Sequence, residues 1–119
     1  MTRRLSDAYV DFTFSATTFA EDVTAKIFGR RIPQTLLLHA NDITADSLDA
    51  MLRGYEQRGY AFVSLDAAMN DEAYRTPDTL VTPFGPTWLW RWTKSKGLNI
   101  SFRDDPEPPA WVSQLYPKR

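Results

Sequence analysis

The sequence predicts an α/β fold built on a short, mostly parallel sheet with two long helices. Three observations lead there. The first segment carries apolar residues at helical spacing over many turns. Two short runs, 35–40 and 60–65, are apolar without alternation, as strands buried on both faces are. The segment between those runs has the length and pattern of a helix, so 36–65 has the form of a right-handed strand–helix–strand crossover.

Taken in order, Ser6 to Phe28 is the first predicted helix. Tyr9, Phe12, Ala16, Phe19, Val23 and Ile27 recur at three- and four-residue steps and share one stripe. Ser6 can cap it, Asp7 suits its first turn, Gly29 stops it and Pro33 prevents its return. Thr35 to Ala40 is the first predicted strand, followed by a loop at Asn41-Asp42. Ala45 to Gln57 is the second helix, capped by Thr44 or Asp42, with Leu48, Met51, Leu52 and Tyr55 as its inner face and Gly59 as its stop. Tyr60 to Leu65 is the second strand. Asp66 to Met69 makes one helical turn, and Asn70 to Pro86 is irregular. Trp88 to Lys96 reads as a third helix between Pro86 and Gly97. The three prolines at 106, 108 and 109 make 98–119 an extended tail, with a last turn over Ala110 to Tyr116 that docks Trp111. The whole, 1–119, is expected to be a single domain.

The composition is that of a globular domain, 43% hydrophobic and 24% charged. A net charge of −1 gives no electrostatic footprint for nucleic acid or for an anionic membrane, and neither is expected as a partner. The chain has no Cys, which excludes disulfides and thiolate metal sites. No apolar run approaches the ~20 residues of a membrane span. The arginines at 3 and 4 have no apolar stretch behind them, so the start is not a signal peptide. Read literally, that start predicts the cytoplasm; read as part of a longer chain, it gives no location.

Four segments in order carry a resemblance. Leu37-Leu38-His39 closes an apolar strand. Arg58-Gly59-Tyr60-Ala61-Phe62-Val63-Ser64-Leu65 follows a helix. Asp71-Glu72-Ala73-Tyr74 comes next, and Gly85-Pro86-Thr87-Trp88-Leu89-Trp90-Arg91-Trp92 closes the series. The series resembles the C-terminal half of the polysaccharide deacetylase (NodB-type) domain and covers nearly the whole chain. That family's fold is a distorted (β/α) barrel of roughly twice this length, so the resemblance implies a partial (β/α) barrel here. It also implies removal of an acetyl group from an N-acetylated polysaccharide at a divalent metal, usually zinc. By the same resemblance His39 is the general acid that protonates the leaving amine. Leu37 shapes the pocket for the acetyl methyl.

The departure from the family is as informative as the match. One His in the entire chain cannot provide two metal ligands and a catalytic acid. The motifs that supply the metal ligands and the base are absent, so no zinc site is expected in this chain, and by itself it is expected to be inactive. Each remaining candidate has a plain alternative. His39 can be a core-edge histidine and Leu37 plain core. Asn41 can touch substrate or simply serve turn and cap chemistry. Trp88 and Trp92 share a helical face and can form a sugar-stacking platform or pack as core, while Trp90 points elsewhere. The pair at 30 and 31 reads as a solvated helix end. Three functional classes stay open: a deacetylase-like region without its metal-binding half, a stand-alone carbohydrate-binding or structural module, and one chain of a split two-chain deacetylase. A half barrel leaves an apolar strand edge uncovered, which predicts a homodimer or association with the missing N-terminal half.

Overall fold

The structure is a computed structural model that describes residues 2–115 of the 119. Every regular element among the described residues is helical, and none is a β-strand. The expected α/β class, its parallel sheet and the partial barrel are corrected accordingly. The elements are α1 (Arg3–Phe28), α2 (Asp42–Gln57), α3 (Leu65–Met69), a 3-10 turn (Glu72–Arg75), α4 (Trp88–Ser95) and α5 (Ala110–Ser113). The last turn was expected to reach Tyr116, which lies outside the described residues, as does the end of the 98–119 tail.

The two expected strands fail for a physical reason. A parallel ladder gains nothing until its distant partner is in place, whereas local contacts form at once. Local contacts hold the second run. The Tyr60 N–H donates to the Tyr55 carbonyl at 3.0 Å. The rings of Tyr60 and Phe62 stand edge-on to Tyr55, at 5.4 and 6.4 Å. Residues 60–62 are thereby tied to the end of α2. Ser64 then caps α3, its Oγ accepting the Ala67 N–H at 3.1 Å, and Leu65 becomes a helical residue. The first run is held only at its start, and by a distant residue: the Tyr74 hydroxyl donates to the Pro33 carbonyl just before the run and accepts from the Thr35 hydroxyl at 3.2 Å. The side chains that a sheet would bury stay in solvent, Leu36, Phe62 and Val63 among them.

The chain divides into two compact units. The first comprises 1–16, 36–62 and 105–119; the second comprises 17–35 and 63–104.

In the first unit, α1 begins three residues before the expected cap. The Thr2 carbonyl accepts the N–H groups of Leu5 and Ser6, and its hydroxyl accepts from Leu5 at 3.4 Å. Ser6 lies inside the helix, with its hydroxyl 3.0 Å from that of Ser47. α2 starts at Asp42 because Asn41 caps it, its side-chain oxygen accepting the Thr44 N–H at 3.1 Å. The buried face of α2 also differs from the apolar stripe. Thr44, Ser47, Met51, Gly54 and Tyr55 are buried, whereas Leu48 and Leu52 are exposed. Hydroxyl pairs allow this, since Thr44 is 3.2 Å from the Tyr9 hydroxyl and Ser47 meets Ser6. A buried hydroxyl with a partner carries little penalty. Gly54 belongs to the same face because the Phe14 ring occupies the place where its Cβ would be. Phe14 in turn stands edge-on to Tyr55 at 5.1 Å and has the Arg58 guanidinium 3.7 Å above its centre.

In the second unit, the core gathers Ile32, Ala73 and Trp92, with Ile27, Phe28, Tyr74 and Leu89 packed against them. Val23 and Thr24 are also buried, and Gln34 donates to the Thr24 hydroxyl at 2.9 Å. The pair expected as a solvated helix end is engaged. Arg30 grips Asp71 with both terminal guanidinium nitrogens, one of them at 2.9 Å from Oδ2, and Arg31 lies 3.5 Å from Glu21. Asp71 also accepts the Ala73 N–H at 2.9 Å and so starts the 3-10 turn. The Arg30 hydrogen bonds, then the Ala73 N–H, hold its carboxyl down at about 2, against an ordinary 3.8.

Two predictions follow from this packing. Alanine in place of Gly54 improves helix propensity by about 1 kcal/mol, but overpacking against a held ring costs about 1–3 kcal/mol. Gly54→Ala is therefore expected to lower stability in urea unfolding, and the loss should shrink when Phe14→Leu is made alongside. A gain in stability from Gly54→Ala alone would mean that the Phe14 ring moves freely. For Asp71, the folded carboxyl titrates below the unfolded one, so its stabilisation is full above about pH 4 and fades as pH falls through about 2. The stability gap between the wild type and Asp71→Asn should accordingly narrow from pH 6 to pH 2.5, and an unchanged gap would contradict the Arg30 pairing.

Candidate functional site

The residues singled out by sequence fall in both units. Leu37, His39 and Asn41 lie in the first, Trp88 and Trp92 in the second.

Residues 31–39 contain no helix, turn or bend. Most of its side chains from Thr35 on are exposed, with Leu37 at 84% exposure, Leu38 half-buried and His39 exposed. The run ends in a fixed turn: the Asn41 N–H donates to the His39 carbonyl at 3.0 Å, and Asn41 itself caps α2. Among the described residues, no backbone N–H from Leu36 to Ala40 has an internal hydrogen-bond acceptor. Of the three residues, Asn41 has a clear structural duty as a cap. Leu37 is not core, and the ring of His39 is in solvent rather than at a core edge.

Trp88 and Trp92 do share a face of α4, with ring centres 5.7 Å apart, and Trp90 points elsewhere under the Lys94 ammonium at 5.4 Å. Their environments differ. Trp92 is only 7% exposed and stands edge-on to Phe28 and Tyr74, at 5.1 and 5.4 Å. It is core and has no open face for a ligand. Trp88 is 44% exposed, with Tyr74 edge-on at 5.1 Å, so only Trp88 presents surface to a flat molecule.

Sequence reasoning missed one device next to this pair. Arg91 donates from Nε to Asp78 at 2.7 Å and from Nη2 to the Leu80 carbonyl at 3.0 Å. Ser95 accepts the Thr79 N–H at 3.1 Å. These bonds clamp the stem of the 76–87 loop against α4, and Arg91 holds the Asp78 carboxyl below its usual range. The only sequence signal was the alternation of Trp and Arg within 88–92.

The resemblance implies zinc, and the residues present do not fit it. Among the described residues no group of three or more His, Cys, Asp or Glu side chains could hold a metal ion. His39 is the single imidazole of the chain. Nor is any described helix long and apolar enough to cross a membrane. No family model, curated protein or solved structure matches the chain.

The contrast between the two tryptophans is testable. Truncating a buried Trp costs about 3–5 kcal/mol. Trp92→Ala is expected to lose most of that in urea unfolding, and Trp88→Ala less than half as much. Equal losses would place Trp88 in the core as well.

Proposed function

We propose that this chain is a polysaccharide deacetylase-like region that acts only with a separate chain carrying the metal ligands and the base. His39 is the group that protonates the leaving amine of an N-acetylated sugar, and Leu37 is an apolar wall for the acetyl methyl. The motif series at 37–39, 58–65, 71–74 and 85–92 supports the reading. The observation that carries it is the exposure of both Leu37 and His39 on a run outside any helix. Both side chains are open to a substrate or a partner, as a composite centre requires. On this reading the chain supplies the acid, no metal-binding group is present among the described residues, and no turnover is expected from it alone.

A second reading rests on the exposed ring of Trp88. An aromatic face in solvent suits C–H contacts with a sugar ring, so the chain is then a carbohydrate-binding module without chemistry of its own. In either reading the exposed Leu36 and Leu37 give a second copy or a partner chain an apolar surface to cover.

Acetate release from a chitin tetramer separates these readings. No acetate is expected from the chain alone with added zinc. Acetate is expected when it is mixed with a separately expressed chain bearing the Asp and two-His motifs, and His39→Ala should cut that by about a hundredfold or more. No release on mixing, or release indifferent to His39, would sink the deacetylase reading. Binding of the tetramer by the chain alone, lost in Trp88→Ala, would favour the module.

A further inference from the structure

The first unit holds a groove of 610 Å³ between the opening turns of α1 and the chain at 106–111. That volume is in the range of small-molecule sites, roughly 300–1,000 Å³. One wall is a face of α1, on which residues 4, 8, 11, 12 and 15 recur at three- and four-residue steps. The other wall is irregular, because prolines at 106, 108 and 109 keep the chain from turning helical before Ala110. Each wall carries an aromatic ring, Phe12 from the helix and Trp111 from the tail, both half-buried. The Arg4 guanidinium lies 4.0 Å from the Trp111 ring centre and so fixes the indole against α1.

The charges around this space decide what it can take. Arg3 and Arg4 line it together with Asp7, Asp11 and Glu107. Arg3 and Asp7 approach no closer than 4.0 Å, and both are largely in solvent. Among the described residues Asp11 and Glu107 have no ion pair or hydrogen bond. An anion would meet three carboxylates, and a cation would meet two guanidinium groups. A purely apolar ligand would strip water from all five charges and replace none of it. What remains is a neutral molecule that both donates and accepts. Carboxylates only accept and guanidinium groups only donate, each through two or more atoms side by side. Neighbouring hydroxyls of a sugar ring match both, whereas the amides of a peptide stand singly. The C–H face of the same ring suits the electron-rich faces of Phe12 and Trp111.

We infer that this groove binds a neutral oligosaccharide. The inference rests on the carbohydrate reading proposed above, and gives the polymer a binding site in the first unit on residues other than Leu37, His39 and Trp88. Asp11, Glu107 and Arg4 bond its hydroxyls, and Phe12 and Trp111 carry its apolar face.

Calorimetric titration of the full chain tests this, with chitin tetramer and cellotetraose as neutral probes. Chitosan tetramer, tetragalacturonate and a blocked tetraalanine peptide are the cationic, anionic and peptide counterparts. Binding is expected for at least one neutral tetramer, with an affinity unchanged between 50 mM and 500 mM salt, since no net charge is recruited. Asp11→Ala, an exposed change on a helix, should weaken it about tenfold or more, the usual loss for a hydrogen bond to a charged group. Trp111→Ala should weaken it by about tenfold, with an unchanged helical circular dichroism spectrum. No binding of either neutral tetramer at concentrations of about 5 mM would overturn the inference. So would tighter binding of a charged tetramer or of the peptide, or binding that survives both variants and is lost in Trp88→Ala. Acetate release on mixing with the second chain, without binding here, would remove this groove and leave the deacetylase reading standing. Binding here without any such release would do the reverse.

Discussion

Tyr74 is the side chain on which the second unit depends. Its hydroxyl donates to the Pro33 carbonyl and accepts from Thr35, while its ring meets Trp88 and Trp92 edge-on. One residue thus fixes the chain that leaves α1, the 3-10 turn in which it lies, and α4. Edge-to-face pairs each add about 0.5–1.5 kcal/mol beyond buried area. In a short chain with few large aliphatic side chains in its core, those pairs do the work that a sheet performs elsewhere. The Arg30–Asp71 pair reinforces the same turn from the other side.

Helices were legible in the sequence wherever local chemistry decides them. α1, α2 and α4 lie close to their expected limits, because Gly29, Gly59 and Gly97 take positive φ just past their ends, as a left-handed stop requires. Caps were harder to place. Asn41 rather than Thr44 starts α2, and Thr2 rather than Ser6 starts α1, since several capping residues stood within one turn of each other. The inner face of α2 was misjudged, because apolar periodicity cannot register hydroxyls that find partners on α1. The sheet was the largest departure. The runs 35–40 and 60–65 are strand-like in composition, but a strand is a property of two segments. Nothing in either run reveals that Tyr55 holds 60–62 from nearby, or that Tyr74 bonds Pro33 and Thr35 from far along the chain.

The candidate site followed the same division. His39 and Leu37 were chosen by motif, and both are exposed, which the apolar composition of 35–40 did not foretell. The Trp88/Trp92 face was legible from helical spacing, but the burial of Trp92 was not, because it depends on Phe28 and Ile32, far away in sequence. The Arg91 clamp left almost no trace in sequence. Its two acceptors, Asp78 and Leu80, belong to a stretch without regular structure.

The run Leu36–Ala40 has a consequence for how long the chain lasts in a cell. Endoproteases bind several residues in extended form through the main chain, and they need those groups unoccupied. Here the amides are unbonded among the described residues and two leucine side chains stand in solvent. With few main-chain bonds to break, the run should be cut ahead of the helices, with less protection from global stability. A partner that covered it would then act as a guard against degradation as well as a functional complement.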